Sequence, residues 1–300
     1  MIVTRMDLDG KGAGSPEGLV TLILKADKDL PIPVPIEELC RQLDIQEIKP
    51  LETQAFEGAL ITDTSRSSGI VLVNQNRPRQ RQRFTIAHEL GHFLIPTHIP
   101  HEEGKFLCSR EDMQQLSAKE HDRRARMEVE ANRFASLILI PPPHLRLQLR
   151  QCRAPDLQHI PQLARMFDVS KQAMARAYAE YHEEPIAIVV THEGQVQLSY
   201  SNRLRFPFVH VTRGRPVPGD SYYRRGRFEL GVASTQEECD PELWVSPRSG
   251  QRFRGMTEQV YPQRNGYALI LLHLNVADDD EEAEEDSIQS SWRVGFGSRL

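Results

Sequence analysis

The chain lacks any segment that could cross a membrane on its own, because its 300 residues contain no run of about 18 apolar residues. The N-terminus also lacks the apolar stretch and cleavage signal of a secretory leader. Its four cysteines are far apart in sequence and form no CxxC pair. We therefore expect a cytoplasmic protein with four reduced thiols and no structural zinc site of the usual cysteine spacing.

The formal net charge of −5 is unevenly distributed. Eight acidic residues lie between Asp278 and Asp286, interrupted only by Ala283, and removing these eight charges leaves +3 for the rest of the chain. The acidity is thus a property of the C-terminal tail, which we expect to be solvated and disordered. Nothing in the charge distribution requires a nucleic-acid partner.

Apolar periodicity in the first half of the chain predicts a mixed α+β domain. Two β-like runs, 56–62 and 69–74, are separated by a turn-rich loop and predict a hairpin. A helix is expected over Arg79–Leu94, and a second one over about 120–140, where three prolines end it. The polar stretch between these helices, 97–119, is expected to be irregular.

Changes in composition and the positions of prolines and glycines predict five segments along the chain. They are a flexible N-terminus (1–14), the α+β domain (15–150), a helix-turn-helix-like helical segment (151–184), a β-rich C-terminal domain (185–276) and the acidic tail (277–300). The second helical pattern of the third segment carries only two basic residues, Lys171 and Arg176, together with the polar Gln172. A packing or docking role is therefore favoured over DNA binding. The β-like runs of the fourth segment are 186–191, 196–200, 206–211, 228–232 and 267–274.

The first predicted helix contains an HExxH motif formed by His88, Glu89 and His92. Residues four apart lie on one face of a helix, so both imidazoles can converge on one cation. Neutral histidine nitrogen is a good zinc ligand, and zinc lowers the pKa of a coordinated water to about 7. Glu89 can then act as general base and acid in a hydrolysis. The motif indicates a metal site, and the competing interpretation is two solvated histidines on an exposed helix face.

A catalytic zinc needs a third protein ligand and an open position for water. His98 and His101 follow the motif, but both lie among prolines and are expected to be loop residues. Glu128 and Glu130 are the better candidates, since both flank the apolar stripe of the second helix. Periodicity does not choose between these two glutamates.

Two segments resemble the ImmA/IrrE family of metallopeptidases. They are RQRFTIAHELGHFLIP (Arg81–Pro96) and EVEANRFASLILIP (Glu128–Pro141), and the preceding GIVLVN resembles the strand of that family. The resemblance is firm over about residues 56–141 and softer over 15–55 and 142–185. It implies a zincin-like, gluzincin-type metallopeptidase domain with a small β-sheet.

The resemblance also implies a role for each residue of the site. His88 and His92 are then metal ligands, Glu89 is the catalytic base and acid, and Glu128 is the third ligand, with Glu130 as its neighbour. Zinc is the implied metal and manganese is the alternative, which would suit the carboxylate ligand.

Members of the family resemble one another as regulatory proteases that cleave a helix-turn-helix repressor. The expected partner is therefore a protein substrate rather than nucleic acid or a membrane. The competing interpretation is a DNA-binding or partner-binding regulator whose metal is structural or non-catalytic. An apolar edge strand beside the metal helix can hold a substrate by backbone pairing, and the candidate edge consists of Val71, Leu72, Val73 and Asn74.

Overall fold

The computed structural model describes residues 3–8, 13–53, 56–100, 104–115, 117–119, 121–246 and 253–276. The predicted acidic tail and His101 lie outside these residues. The chain divides into two compact units, the first formed by Met1–Gln151 with Ile160–Ala177 and the second by Cys152–His159 with Tyr178–Leu300. Each unit has its own sheet and helices, so the α+β fold class is confirmed. Among the described helices, none is both long enough and apolar enough to cross a bilayer.

The described helices, in chain order, are α1 (Pro16–Ala26), α2 (Ile36–Gln42), α3 (Arg79–Leu94), α4 (Arg123–Leu139), α5 (Pro142–Leu149), α6 (His159–Phe167), α7 (Lys171–Tyr181) and α8 (Tyr222–Arg225). The strands are β1 (Ile45–Leu51), β2 (Gly58–Thr62), β3 (Gly69–Asn74), β4 (Lys105–Cys108), β5 (Ile186–His192), β6 (Gln195–Ser201), β7 (Glu237–Cys239), β8 (Phe253–Pro262) and β9 (Tyr267–Val276). Within the predicted flexible N-terminus, Val3 and Leu8 are instead buried.

The sheet of the first unit has the strand order β1-β3-β2-β4. β2 and β3 form the predicted antiparallel hairpin, and β1 lies parallel to β3 on its other side. β3 is thus paired on both sides, and the expectation that residues 71–74 form an edge is wrong. The edge strands of this sheet are β1 and β4, and β4 pairs antiparallel with β2 inside the stretch that was expected to be irregular. Phe106 and Cys108 alternate inward along it, a pattern too short to stand out in the sequence.

α3 and α4 pack closely, and Gly91 allows their approach. A Cβ atom at Gly91 would lie 3.3 Å from Ala131 Cα and 3.1 Å from a ring carbon of Phe134. Asp122 accepts a hydrogen bond from Ala125 N–H and so caps α4 where the chain enters it. This packing brings the buried face of α4 against the HExxH face of α3.

Asp168 joins the turn between α6 and α7 to the start of α3. It has a φ of 51°, and its carboxylate accepts hydrogen bonds from Arg79 at 2.8 Å and Gln80 at 3.0 Å. The buried guanidinium of Arg83 lies 3.4 Å from the same carboxylate and donates to the carbonyl of Val34. The helix-turn-helix-like segment thus helps to fix the position of α3, the helix that carries the HExxH motif.

The sheet of the second unit has the order β6-β5-β9-β8-β7, and its pairings are antiparallel. The strands predicted over 206–211 and 228–232 are wrong. Pro207 cannot donate to a ladder, and the first of these runs instead inserts Phe206 and Val209 into the core of the unit. In the second run Leu230 and Val232 are exposed.

Candidate metal centre

Three side chains from α3 and α4 converge at one point in the first unit. His88 Nε2 and His92 Nε2 lie 3.1 Å apart. Glu128 Oε2 lies 3.2 Å from the first nitrogen and 3.4 Å from the second. All three residues are buried, so the competing picture of two solvated histidines on an exposed helix face is wrong. Glu130 points elsewhere, to His98.

Asn132 determines which nitrogen of His88 carries the proton. Its amide Nδ2 donates to the carbonyls of Asp112 at 2.9 Å and Gln115 at 3.1 Å, which fixes the orientation of the amide. Its Oδ1 therefore faces His88 Nδ1 at 3.0 Å and accepts the proton of that nitrogen. With its proton on Nδ1, His88 has a bare lone pair on Nε2.

A second chain of contacts determines which nitrogen of His92 carries the proton. The carboxylate of Glu130 lies 3.0 Å from His98 Nε2 and accepts its proton. His98 Nδ1 is then an acceptor, and it lies 2.9 Å from His92 Nδ1, which donates to it. Burial is the main reason that the pKa of both His92 and His98 is lowered to about 3, so both rings are neutral. His92 Nε2 also has a bare lone pair.

The centre therefore holds three acceptors without a proton between them. Glu128 Oε2 is buried and receives no hydrogen bond, although two nitrogens lie near it. Burial acts to raise the pKa of Glu128, and that pKa lies below the ordinary value only where His88 and His92 act on the carboxylate as proton donors, an effect that a bound cation would supply when both nitrogens are bare. Two lone pairs and a negative charge at these separations repel one another unless a cation lies between them. The donor set fits a divalent metal such as zinc.

Glu89 faces the same part of the unit from α3. Both of its carboxylate oxygens are buried without a hydrogen-bond partner. Burial raises the pKa of Glu89 well above its ordinary value; contact with the thiol of Cys108 opposes this shift, and the negative charge of Glu128 adds to it. Gly58, at the start of β2, leaves room for it, because a Cβ atom there would lie 3.0 Å from Glu89 Oε1. The carboxylate is thus held unpaired beside the three acceptors, as a general base requires.

Cys108 is a fourth group at the centre. Its sulfur and the three acceptor atoms all lie within 4.8 Å of one another. The thiol is free and buried, and burial raises its pKa well above the ordinary value. Cys108 does not stand out in the sequence, because it belongs to no closely spaced pair of cysteines. An isolated cysteine that a strand brings to a histidine motif leaves no spacing signal.

Two arginines that precede the HExxH motif are paired with one buried acid. Arg77 and Arg81 contact the buried carboxylate of Glu57 at 3.0 and 3.3 Å. Asn74 has a structural role, since its amide donates hydrogen bonds to the carbonyls of Thr53 and Phe56. These contacts stabilise the loops next to the metal helix.

The fold and the site together define a metallopeptidase domain. An HExxH helix packs beside a small sheet whose edge strand β4 is antiparallel, and a second helix brings a glutamate to the two histidines. Three acceptors and a neighbouring unpaired carboxylate are the parts that metal-assisted hydrolysis needs.

Comparison with known proteins supports the family resemblance. Residues 40–178 match the family of peptidases described as the IrrE N-terminal-like domain. The chain is also 25% identical over 246 residues to the radiation response metalloprotease IrrE of Deinococcus radiodurans, in an alignment that covers 74% of this chain and 69% of the relative. The matched segment is thus similar to the ImmA/IrrE family of metallopeptidases, and the resemblance found in the sequence is confirmed over these residues.

Proposed function

We propose that this chain is a zinc-dependent endopeptidase that makes a limited, regulatory cut in a helix-turn-helix transcriptional repressor. In this proposal His88, His92 and Glu128 hold the metal, and Glu89 is the catalytic base and acid. The observation that carries it is the convergence of three unprotonated acceptors beside an unpaired carboxylate. The proposed substrate puts the reaction in the cytoplasm.

The chemistry follows from what each residue can do. A zinc ion held at the centre would polarise the scissile carbonyl and lower the pKa of a water. Glu89 would take a proton from that water and pass it to the leaving amine. Its burial favours this role, because a raised pKa makes the protonated form easier to reach during the reaction. Manganese is the alternative metal, since the carboxylate of Glu128 suits it.

The substrate strand is proposed to pair with β4, in place of the buried β3. In the described chain, β4 has a partner on one side only, β2. The carbonyls of Gly104 and Cys108 accept hydrogen bonds on the β2 side. Since backbone groups alternate along a strand, Lys105 and Leu107 direct theirs to the opposite side. An extended peptide could pair with those groups and lie next to the metal centre.

The regulatory purpose and the repressor substrate rest on the family alone. Support for limited cleavage comes from the family's character as regulatory proteases. The competing function is a regulator that binds DNA or a partner without cutting it. In that case Glu89 would have no chemical task, which makes it the discriminating residue.

The test is co-expression with a helix-turn-helix repressor encoded beside this gene, followed by mass spectrometry of the repressor. We expect one shortened product with the wild type, and a loss of cleavage rate of about 10²- to 10⁴-fold in Glu89→Gln, with zinc still bound. Glu258→Gln is the matched control, since Glu258 is an equally buried glutamate of the second unit. Unchanged cleavage by Glu89→Gln would refute the mechanism, and an intact repressor with the wild type would refute this substrate.

A further inference from the structure

Cys108 faces the metal centre because of the alternation along β4. Phe106 and Cys108 are two residues apart and therefore lie on one face of the strand. Phe106 stacks on the ring of His92 with 4.8 Å between centroids, which shows that this face is directed at the site. The sulfur follows on the same face, where all four potential ligand atoms lie within 4.8 Å of one another.

The four atoms are arranged as a nearly closed zinc site. Zinc bonds are about 2.3 Å to sulfur and about 2.0–2.1 Å to histidine nitrogen, so ligand atoms around a tetrahedral zinc lie roughly 3.5 Å apart. The spacing of the acceptors in α3 and α4 already meets this value. The cysteine sulfur would need to move by roughly 1.3 Å at most, which a thiol side chain can do by a small rotation.

We propose that Cys108 is a fourth, displaceable metal ligand that closes the centre in the absence of substrate. The inference rests on the proposed metal site. Formation of the metal–sulfur bond breaks the S–H bond, and the proton passes to the neighbouring carboxylate of Glu89. The thiolate takes the position that a hydrolytic centre leaves open for water. When water and substrate enter, the metal–sulfur bond breaks and the thiolate recovers the proton.

This arrangement would suit a protease that cuts rarely. A closed zinc centre with four protein ligands is typical of structural sites and does not hydrolyse peptides. A ligand on the strand proposed to receive the substrate links the two events, because pairing at β4 would act directly on the residue that closes the site. The resting protein would then be inactive toward peptides that do not engage the strand.

The first test needs no substitution. The full-length protein is loaded with zinc, and the metal environment is measured by X-ray absorption. We expect one sulfur at about 2.3 Å, with nitrogen and oxygen atoms at about 2.0–2.1 Å. A shell of nitrogen and oxygen alone would overturn the proposal.

The second test uses cobalt in place of zinc. We expect the wild type to show the visible bands of a tetrahedral ion and the near-ultraviolet charge-transfer band of a cobalt–thiolate bond. Cys108→Ser should lose the second band, keep the first, and bind zinc at least about tenfold more weakly. Cys40→Ser is the matched control, since Cys40 is an equally buried free thiol, and it should keep both bands.

The outcomes separate the two proposals. If the wild type shows visible cobalt bands but no thiolate band, the metal site stands and the role of Cys108 fails. A thiolate band that persists in Cys108→Ser would assign the bond to another cysteine and also overturn the inference. If the protein binds neither cobalt nor zinc, the proposed function itself fails.

Discussion

Asn132→Leu tests how the protein prepares its first histidine for a metal. The substitution keeps the size of the side chain but removes the oxygen that accepts from His88 at 3.0 Å. It also leaves the carbonyl of Gln115 without this donor, whereas the carbonyl of Asp112 keeps the N–H of Gln115 at 3.2 Å. The loss of such a histidine partner typically weakens metal binding by about 10–100-fold, or roughly 1.4–2.8 kcal/mol. The unsatisfied carbonyl of Gln115 adds about 1–3 kcal/mol of lost folding stability.

The assay is zinc competition with a chromophoric chelator, together with thermal unfolding. Asn74→Leu is a matched control, because Asn74 is equally buried and also donates to two backbone carbonyls, but contacts no histidine of the site. We expect both variants to lose stability and only Asn132→Leu to lose zinc affinity. Equal zinc affinities in the two variants would show that the tautomer of His88 is not set in this way.

Three further predictions concern the surroundings of the site. Asp168→Asn should lower stability by about 1–3 kcal/mol, because Arg83 stays buried without its anion. Burial acts to raise the pKa of Asp168, but its partners lower it below the ordinary value. The wild type should therefore have the larger free energy of unfolding in urea at neutral pH, and this difference from Asp168→Asn should disappear as the pH falls through that lowered pKa. Gly58→Ala should cost about 1–3 kcal/mol in thermal unfolding and slow cleavage, since the new methyl group would lie 2.3 Å from Thr85 Cγ2 and 3.0 Å from Glu89 Oε1. Removal of metal by a chelator should lower the melting temperature, and zinc at 100 times its Kd should restore about 2.7 kcal/mol.

Each of these predictions has a contradicting result. A pH-independent difference for Asp168→Asn would mean that its charge does not act on the fold. Normal stability of Gly58→Ala would show that β2 can move away from Glu89 at no cost. An unchanged melting temperature after chelation would mean that the acceptors tolerate one another without a cation.

The parts of the fold that local chemistry determines could be predicted from the sequence. α3 begins and ends where it was expected, because Pro78 precedes its first turn and Pro96 follows its last. The β2–β3 hairpin was evident from two β-branched runs around a turn-rich loop. These features depend on neighbours in sequence, and the pattern of those neighbours is visible without a structure.

The order of strands and the contacts of the loops could not be predicted in this way. Nothing in the sequence of residues 69–74 indicates that β1 will pair with them, so the prediction that they form an edge strand was wrong. His98 was correctly expected in a loop, but its burial against His92 depends on a tertiary contact with Glu130. The periodicity of α4 could not separate its two glutamates, because both lie near the buried stripe and only packing decides which one faces α3.

α4 contributes more to the centre than a ligand. It supplies Glu128, it carries Asn132 one turn later to orient His88, and it carries Glu130, which acts on His92 through His98. The metal-facing nitrogen of each histidine is thus fixed from the same helix that supplies the negative charge. A displacement of α4 would therefore disturb all three ligands together rather than one. The close approach of the helices at Gly91 is for this reason as important to metal binding as the histidines beside it.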